Sequence, residues 1–182
     1  MKLRFLVAAL AALTLTACGQ QAGPTNTAPT HNQADVDFAS GMVPHHRQAV
    51  EMADLIPGRS DHPKLLALGE RVRKAQQPEI DAMTGWLKRW GAPEPSDHSA
   101  HAGHAMAGMM TPQQMAELKA AKGVGFDKAW LRMMVEHHRG ALEMARTELA
   151  KGSDAEAKKL AQSILDSQQK EIDEMTVLLA ER

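Results

Sequence analysis

The chain has no tyrosine, only three phenylalanines and three tryptophans, and a single cysteine among its 182 residues. So few rings cannot organise a core by aromatic packing. One thiol can form neither an internal disulfide nor a thiolate cluster. There is no charge excess either: 21 Lys and Arg face 22 Asp and Glu, and no basic run appears. That excludes an electrostatic nucleic-acid binder. No segment alternates polar and apolar residues as a half-buried strand would. Neither a phosphate-cradling glycine loop nor a nucleophile–base–orienter set is present. What the chain has instead is twelve methionines and nine histidines. Thioether sulfur and imidazole nitrogen are then the donors left for soft-metal chemistry, although methionine equally suits a plastic helical core.

These residues recur in a pattern. M-V-P-H-H-R-Q-A-V-E-M-A, from Met42, returns as M-V-E-H-H-R-G-A-L-E-M-A from Met134, an offset of 92 residues. At the same offset, Q-Q-P-E-I-D-A-M from Gln76 returns as Q-Q-K-E-I-D-E-M from Gln168. Two separated blocks in one register indicate a duplicated unit. The first repeat is placed at 35–91, a His- and Met-rich linker at 92–126 and the second repeat at 127–182. Each repeat reads as a helical hairpin. Asp35 is the expected cap of a helix that Pro57 and Gly58 stop, and a second helix follows from about Pro63 to Trp90. Thr111-Pro112-Gln113-Gln114 predicts a short helix. Asp127 is the expected cap of a third long helix, and Ser153-Asp154-Ala155-Glu156 should open the last. Two hairpins joined by a long connection predict an all-α four-helix bundle with ferritin-like crossover connectivity.

At 100° per residue, Met42, His45, Ala49 and Met52 share one face of the first helix, with His46 at its edge. Met134, His137, Ala141 and Met144 repeat this on the third, with His138 at the edge. Gln76 and Gln168 lie on the inner stripes of their helices, with Glu79 and Glu171 close by. Both His pairs and both glutamines fall near mid-helix, which predicts one central layer of four imidazoles and two amides. A single buried histidine usually needs nothing beyond one hydrogen bond. Four in one layer beside sulfur point to metal. Met42 and Met134 precede a histidine by about one turn, roughly 4.5 Å along the axis, and can share its ion. Met52 and Met144 lie roughly 10.5 Å away, as a second layer or as core. Pro44 and Pro78 have no counterpart in the second repeat. They predict kinks with a freed carbonyl in the first, and so an asymmetric site. In the linker, His98, His101, His104, Met106, Met109 and Met110 sit among small residues. Such a loop can wrap a monovalent soft cation.

Residues 1–17 read as an export signal: Lys2 and Arg4, an apolar run too short to span a bilayer comfortably, then Leu15-Thr16-Ala17-Cys18. That ending resembles the bacterial lipobox, whose cleavage leaves the cysteine as a lipid-modified N-terminus, here Cys18. Gly19 in place of Asp resembles the outer-membrane sorting pattern. Residues 18–34 then form a polar tether. Without Lys2 and Arg4 the chain keeps 19 basic and 22 acidic residues, a formal charge of −3.

The doubled M-x-x-H-H-x-x-A-x-x-M-A and Q-x-x-E-I-x-x-M motifs resemble the signature of the DUF305 family over residues 35–182. The resemblance implies a ferritin-like, secreted or lipid-anchored protein, and less firmly copper binding. Di-iron bundles use Glu-x-x-His pairs, which this sequence lacks. The reading is therefore a lipid-anchored envelope protein that sequesters or buffers copper, chiefly Cu(I). It would face the periplasm from the outer membrane or sit on another extracytoplasmic membrane surface. His45, His46, His137, His138, Met42 and Met134 are the metal residues. Met52, Met144, Glu79, Glu171, Gln76, Gln168 and the linker donors are further candidates. The alternatives are a ferritin-like oxidoreductase using iron or another transition metal, and a structural interaction lipoprotein whose histidines are a hydrogen-bonded core.

Overall fold

The computed structural model describes residues 30–93 and 107–181. Helix α1 (Gln33–Asp54) starts three residues earlier than a cap at Asp35 would place it. Asn32 is the cap, because its side-chain oxygen accepts from Ala34 N at 2.8 Å and Asp35 N at 3.2 Å. Asp35, three residues on, accepts in return from Asn32 N at 2.6 Å, which completes a capping box. α2 (Pro63–Trp90) opens with proline at its first position and ends on Gly91, whose φ of 68° suits only a residue without Cβ. α1 and α2 run uninterrupted through Pro44 and Pro78, so loss of one ladder bond ends neither helix.

α3 (Pro112–Ala120) carries the expected Thr111 capping box. α4 (Gly123–Lys151) begins four residues before Asp127, which is therefore buried within the helix rather than its cap. The start is set from outside the helix: Gly123 N–H donates to Arg59 O at 2.7 Å. α5 (Ala155–Ala180) is capped by Asp154 rather than Ser153, its carboxylate accepting from Glu156 N and Ala157 N. Among the described residues no helix is long and apolar enough to cross a membrane.

The four long helices form the expected all-α bundle with a crossover. Asn32 donates to Lys151 O and Trp130 Nε1 to Met52 O, so α1 and α4 lie side by side and antiparallel. The pairs Lys64–Glu181, Arg71–Glu174 and Arg89–Glu156 set α2 against α5, also antiparallel. Exposed pairs of this kind contribute at most about 1 kcal/mol each, so they mark direction more than they stabilise. With both hairpins antiparallel, α1 and α5 point one way and α2 and α4 the other. The connection from α2 to α4 must then travel the length of the bundle, and its described part from residue 107 onward lies over the α1/α4 seam. Gln48 meets Met110 there, and Lys119 meets Glu51.

The apolar interior falls into two halves. One gathers Met52, Leu65, Leu68, Val72, Phe126, Trp130, Met134 and Met175 among others. The other gathers Phe38, Met42, Val43, Ile80, Met83, Ala141, Ala145 and Ile164. Each long helix crosses from one half to the other at a polar residue: His45 and His46, Gln76, His137 and His138, Gln168.

Candidate metal centre

The border between the half-cores is the layer expected from the sequence. All four histidines are at most 1% exposed, and Gln76 and Gln168 are 3% exposed. Helical periodicity places them inside, and the duplication places them level. The rings of His45 and His137 meet across the α1/α4 seam with centroids 3.7 Å apart, and those of His137 and His138 are 6.4 Å apart.

The outer two histidines are held identically. His46 Nε2 donates to Glu79 Oε2 at 2.6 Å, and His138 Nε2 to Glu171 Oε2 at 2.7 Å. A carboxylate only accepts, so it fixes the proton on Nε2 and leaves the Nδ1 lone pair free. A carboxylate placed so orients an imidazole and raises the basicity of its other nitrogen, as it does for metal-binding histidines. The glutamate side chains are 17% exposed, which keeps their charge at the edge of the bundle.

The inner two are not equivalent. His45 Nε2 approaches Ala107 O at 3.3 Å. Neither nitrogen of His137 makes a hydrogen bond of good geometry. Burial pushes the His45 imidazole down to about 3, helped by the neighbouring His46 and His138, while the Ala107 carbonyl opposes the shift. Burial, then His45, His138 and His46, hold His137 well below the ordinary range. Both rings are thus neutral at physiological pH, the form that binds metal.

Five buried ring nitrogens lack a partner: Nδ1 of all four histidines and Nε2 of His137. The side-chain oxygens of Gln76 and Gln168 lack one too. Each such atom costs about 1–3 kcal/mol if nothing satisfies it. A soft cation would satisfy several at once, so the donor set fits one. Among the described residues no three His, Cys, Asp or Glu side chains already surround a common point, so these side chains would have to move to share an ion.

The methionines divide. Met42 and Met134 are fully buried, in opposite half-cores, so they border the layer from its two sides. Met52 is buried in the half-core of Met134. Met144 is only half-buried, at the margin of the other, so it turns further outward than its arc suggested. Met83 and Met175 are fully buried core residues. In the linker, Met110 packs with Met115 and Leu118, and Met109 is half-buried. His98, His101, His104, Met106 and Cys18 lie outside the described residues. Sequence reasoning took Glu79 and Glu171 as spare carboxylates and missed their bond to histidine. The equal spacing of 33 residues from His46 to Glu79 and from His138 to Glu171 was the available signal. Gln48 and Glu148 carried no such sign.

The sequence model of a family described as a domain of unknown function, DUF305, matches residues 35–179. Solved structures resemble this bundle closely. A Streptomyces coelicolor DUF305 protein, described as secreted, is 34% identical with a TM-score of 0.74, over 81% of this chain and 93% of its own. A Deinococcus radiodurans DUF305 fragment is 28% identical with a TM-score of 0.74, over 85% of this chain and 100% of its own. CopM in its Cu(II)-bound form is 30% identical with a TM-score of 0.71, over 81% of this chain and 96% of its own. CopM is also known in Cu(I)-bound and silver-bound forms. No curated protein matches the chain.

Proposed function

This chain belongs to the DUF305 family, and we propose that it is a lipid-anchored envelope protein that sequesters or buffers copper, chiefly as Cu(I). The observation that carries this reading is the closed layer of four imidazoles whose Nδ1 atoms have no partner, with Glu79 and Glu171 accepting from Nε2 of His46 and His138. His45, His46, His137 and His138 would hold the ion, with Met42 and Met134 supplying sulfur from either side. Imidazole and thioether without thiolate or free carboxylate favour monovalent copper or silver over hard cations. The copper- and silver-bound forms of CopM support the same choice.

Both layer glutamates are engaged by histidine, which favours a store over a carboxylate-bridged oxidoreductase. The linker donors His98, His101, His104 and Met106 would capture the ion and pass it inward. Cys18 would carry the lipid, and the likeness to a secreted relative supports an extracytoplasmic site. Titration under reducing conditions tests the central claim. Cu(I) and Ag(I) should bind, raise the melting temperature and displace Zn(II). Binding of Zn(II) or Fe(II) with no response to Cu(I) would overturn it.

A further inference from the structure

Ahead of α3, the crossover touches the bundle at residues 107–110, in the α1/α4 seam beside the histidine layer. Three contacts seat it there. Ala107 O takes His45 Nε2. The Gln48 amide grips Met110 in both directions, Nε2 donating to Met110 O at 2.9 Å and Oε1 accepting from Met110 N at 2.7 Å. The backbones of Gly108 and Gly140 are in direct contact. A Cβ on Gly140 would stand 1.9 Å from Ala107 O and 2.9 Å from Gly108 Cα. A Cβ on Gly108, at φ +79°, would stand 2.6 Å from Glu136 O and 2.8 Å from His137 O.

Gln48 and Gly140 are the same position of the duplicated unit, 92 residues apart. One copy has a side chain that binds the crossover, and the other has none, which lets the crossover in. His45 and His137 differ in the same sense, since only His45 reaches the crossover. The four imidazoles are sealed, and His45 of the inner pair meets the crossover at this seam.

We propose that residues 107–110 form a clasped strap that gates metal access to the histidine layer, with Gln48 as the clasp and Gly140 as the seat, neither being a ligand. Closed, the strap covers the inner histidines and holds His45 as the Nε2–H tautomer. Released, it uncovers them. A gate lowers the barrier in both directions when it is loosened, whereas loss of a ligand speeds release alone. The proposal rests on the layer being the metal site, and its test separates the two claims.

The test uses full-length protein in which His98, His101, His104 and Met106 are serine, so that the layer alone is read, with Ag(I) as a redox-silent probe. In Gln48→Ala, hydrogen exchange at the Met110 amide should rise. Ag(I) uptake and release, followed by stopped flow against a chelator, should both quicken by about tenfold, the scale of one to two net hydrogen bonds. The dissociation constant should stay within about threefold. The His45 15N shifts should lose the fixed Nε2–H signature. Gln48→Glu, which faces Met110 O with a carboxylate, should open the strap likewise, and Gly140→Ala should displace it without touching the clasp. Faster exchange at Met110 with unchanged silver rates overturns the gate, and so does faster release without faster uptake. Failure of the parent protein to bind Ag(I) in the layer overturns the functional reading itself, and is seen before any strap variant is compared.

Discussion

The rings of His45 and His137 meet at the centre of the bundle with centroids 3.7 Å apart and planes tilted by 43°, two imidazoles from equivalent helices with no protein donor between them. Burial keeps both neutral. Of the four ring nitrogens in this pair only His45 Nε2 has a partner, Ala107 O, so most of the lost hydration is not offset and the layer is poised to gain from an ion.

Replacement of His137 and His138 by alanine should therefore abolish the rise in melting temperature produced by Ag(I), because the unfolded chain cannot assemble ligands from two distant helices. The metal-free fold should change by no more than about 3 kcal/mol, since the cavity created is offset by removal of unsatisfied nitrogens. Calorimetry with and without silver checks this. A wild type indifferent to metal, with a variant that no longer folds, would make the layer a structural element.

Glu171→Gln keeps a hydrogen-bond acceptor for His138 but removes the charge that raises the ring's basicity. Affinity for Cu(I) should fall by about tenfold to a hundredfold. Glu79→Gln should do the same at His46, given the near-identical geometry of 2.6 and 2.7 Å. Competition with a chromophoric chelator measures both. Unchanged affinity in either variant would place the ion away from that histidine.

A second buried polar group sets a pH dependence at the end of the bundle where α1 starts. Asp35 accepts from the backbone N–H groups of Asn32, Ser153 and Asp154 and from the Ser153 hydroxyl. Burial alone would raise its carboxyl, but these donors and Glu148 bring it down to about 2. Glu148 is 1% exposed and neither of its oxygens finds a donor. Burial first, then Asp35, push its carboxyl up to about 8, with Lys158 pulling against the shift and Asp154 adding to it. The Glu148 contribution is complete below its ordinary 4.5 and is lost as pH rises toward 8. The Asp35 contribution runs the other way, present above 3.8 and lost as pH falls toward 2. In Glu148→Gln the amide is a neutral donor at every pH. Its stability relative to wild type should grow with pH from near zero in acid, reaching at most roughly 5 kcal/mol at mildly alkaline pH. Denaturant titrations across that range test it, and a difference independent of pH would mean that Glu148 is ionised throughout.

The linker should contribute capacity and not the central site. Deleting it is the wrong experiment. From Gln76 in the layer to Trp90 is roughly 20 Å of helix axis, and removal of residues 97–106 would leave only residues 91–96 between Trp90 and Ala107, roughly 24 Å at full extension, so the shortened connection would be drawn nearly straight and would pull on the strap. Serine at His98, His101, His104 and Met106 keeps the length. The number of Ag(I) ions bound should drop, while the silver-dependent gain in melting temperature remains. Disappearance of all binding would locate the site in the linker.

Anchoring is separable from all of this. Cys18→Ser should abolish lipid labelling and move the protein to the soluble fraction, read by fractionation. Membrane retention without labelling would require another anchor.

The sequence by itself determined the bundle and its polar layer. A heptad-like apolar face with His pairs at mid-helix has one way to bury itself, and the register of 92 residues makes the second hairpin repeat the first. Helix starts were less legible. A cap is chosen by which side chain reaches the free N–H groups, and at α4 the first N–H is bound by Arg59 O from another hairpin. The partners of the layer were also out of reach. A carboxylate at the edge of a stripe can face solvent or a histidine, and only the packing of α2 on α1 and of α5 on α4 turned Glu79 and Glu171 inward. The asymmetry anticipated from Pro44 and Pro78 arises elsewhere in the described residues, at the strap. The helix sequence leaves the crossover's path open, and tertiary structure decided which seam it closes. It lies where glycine at 140 leaves room for a backbone and glutamine at 48 can bind one.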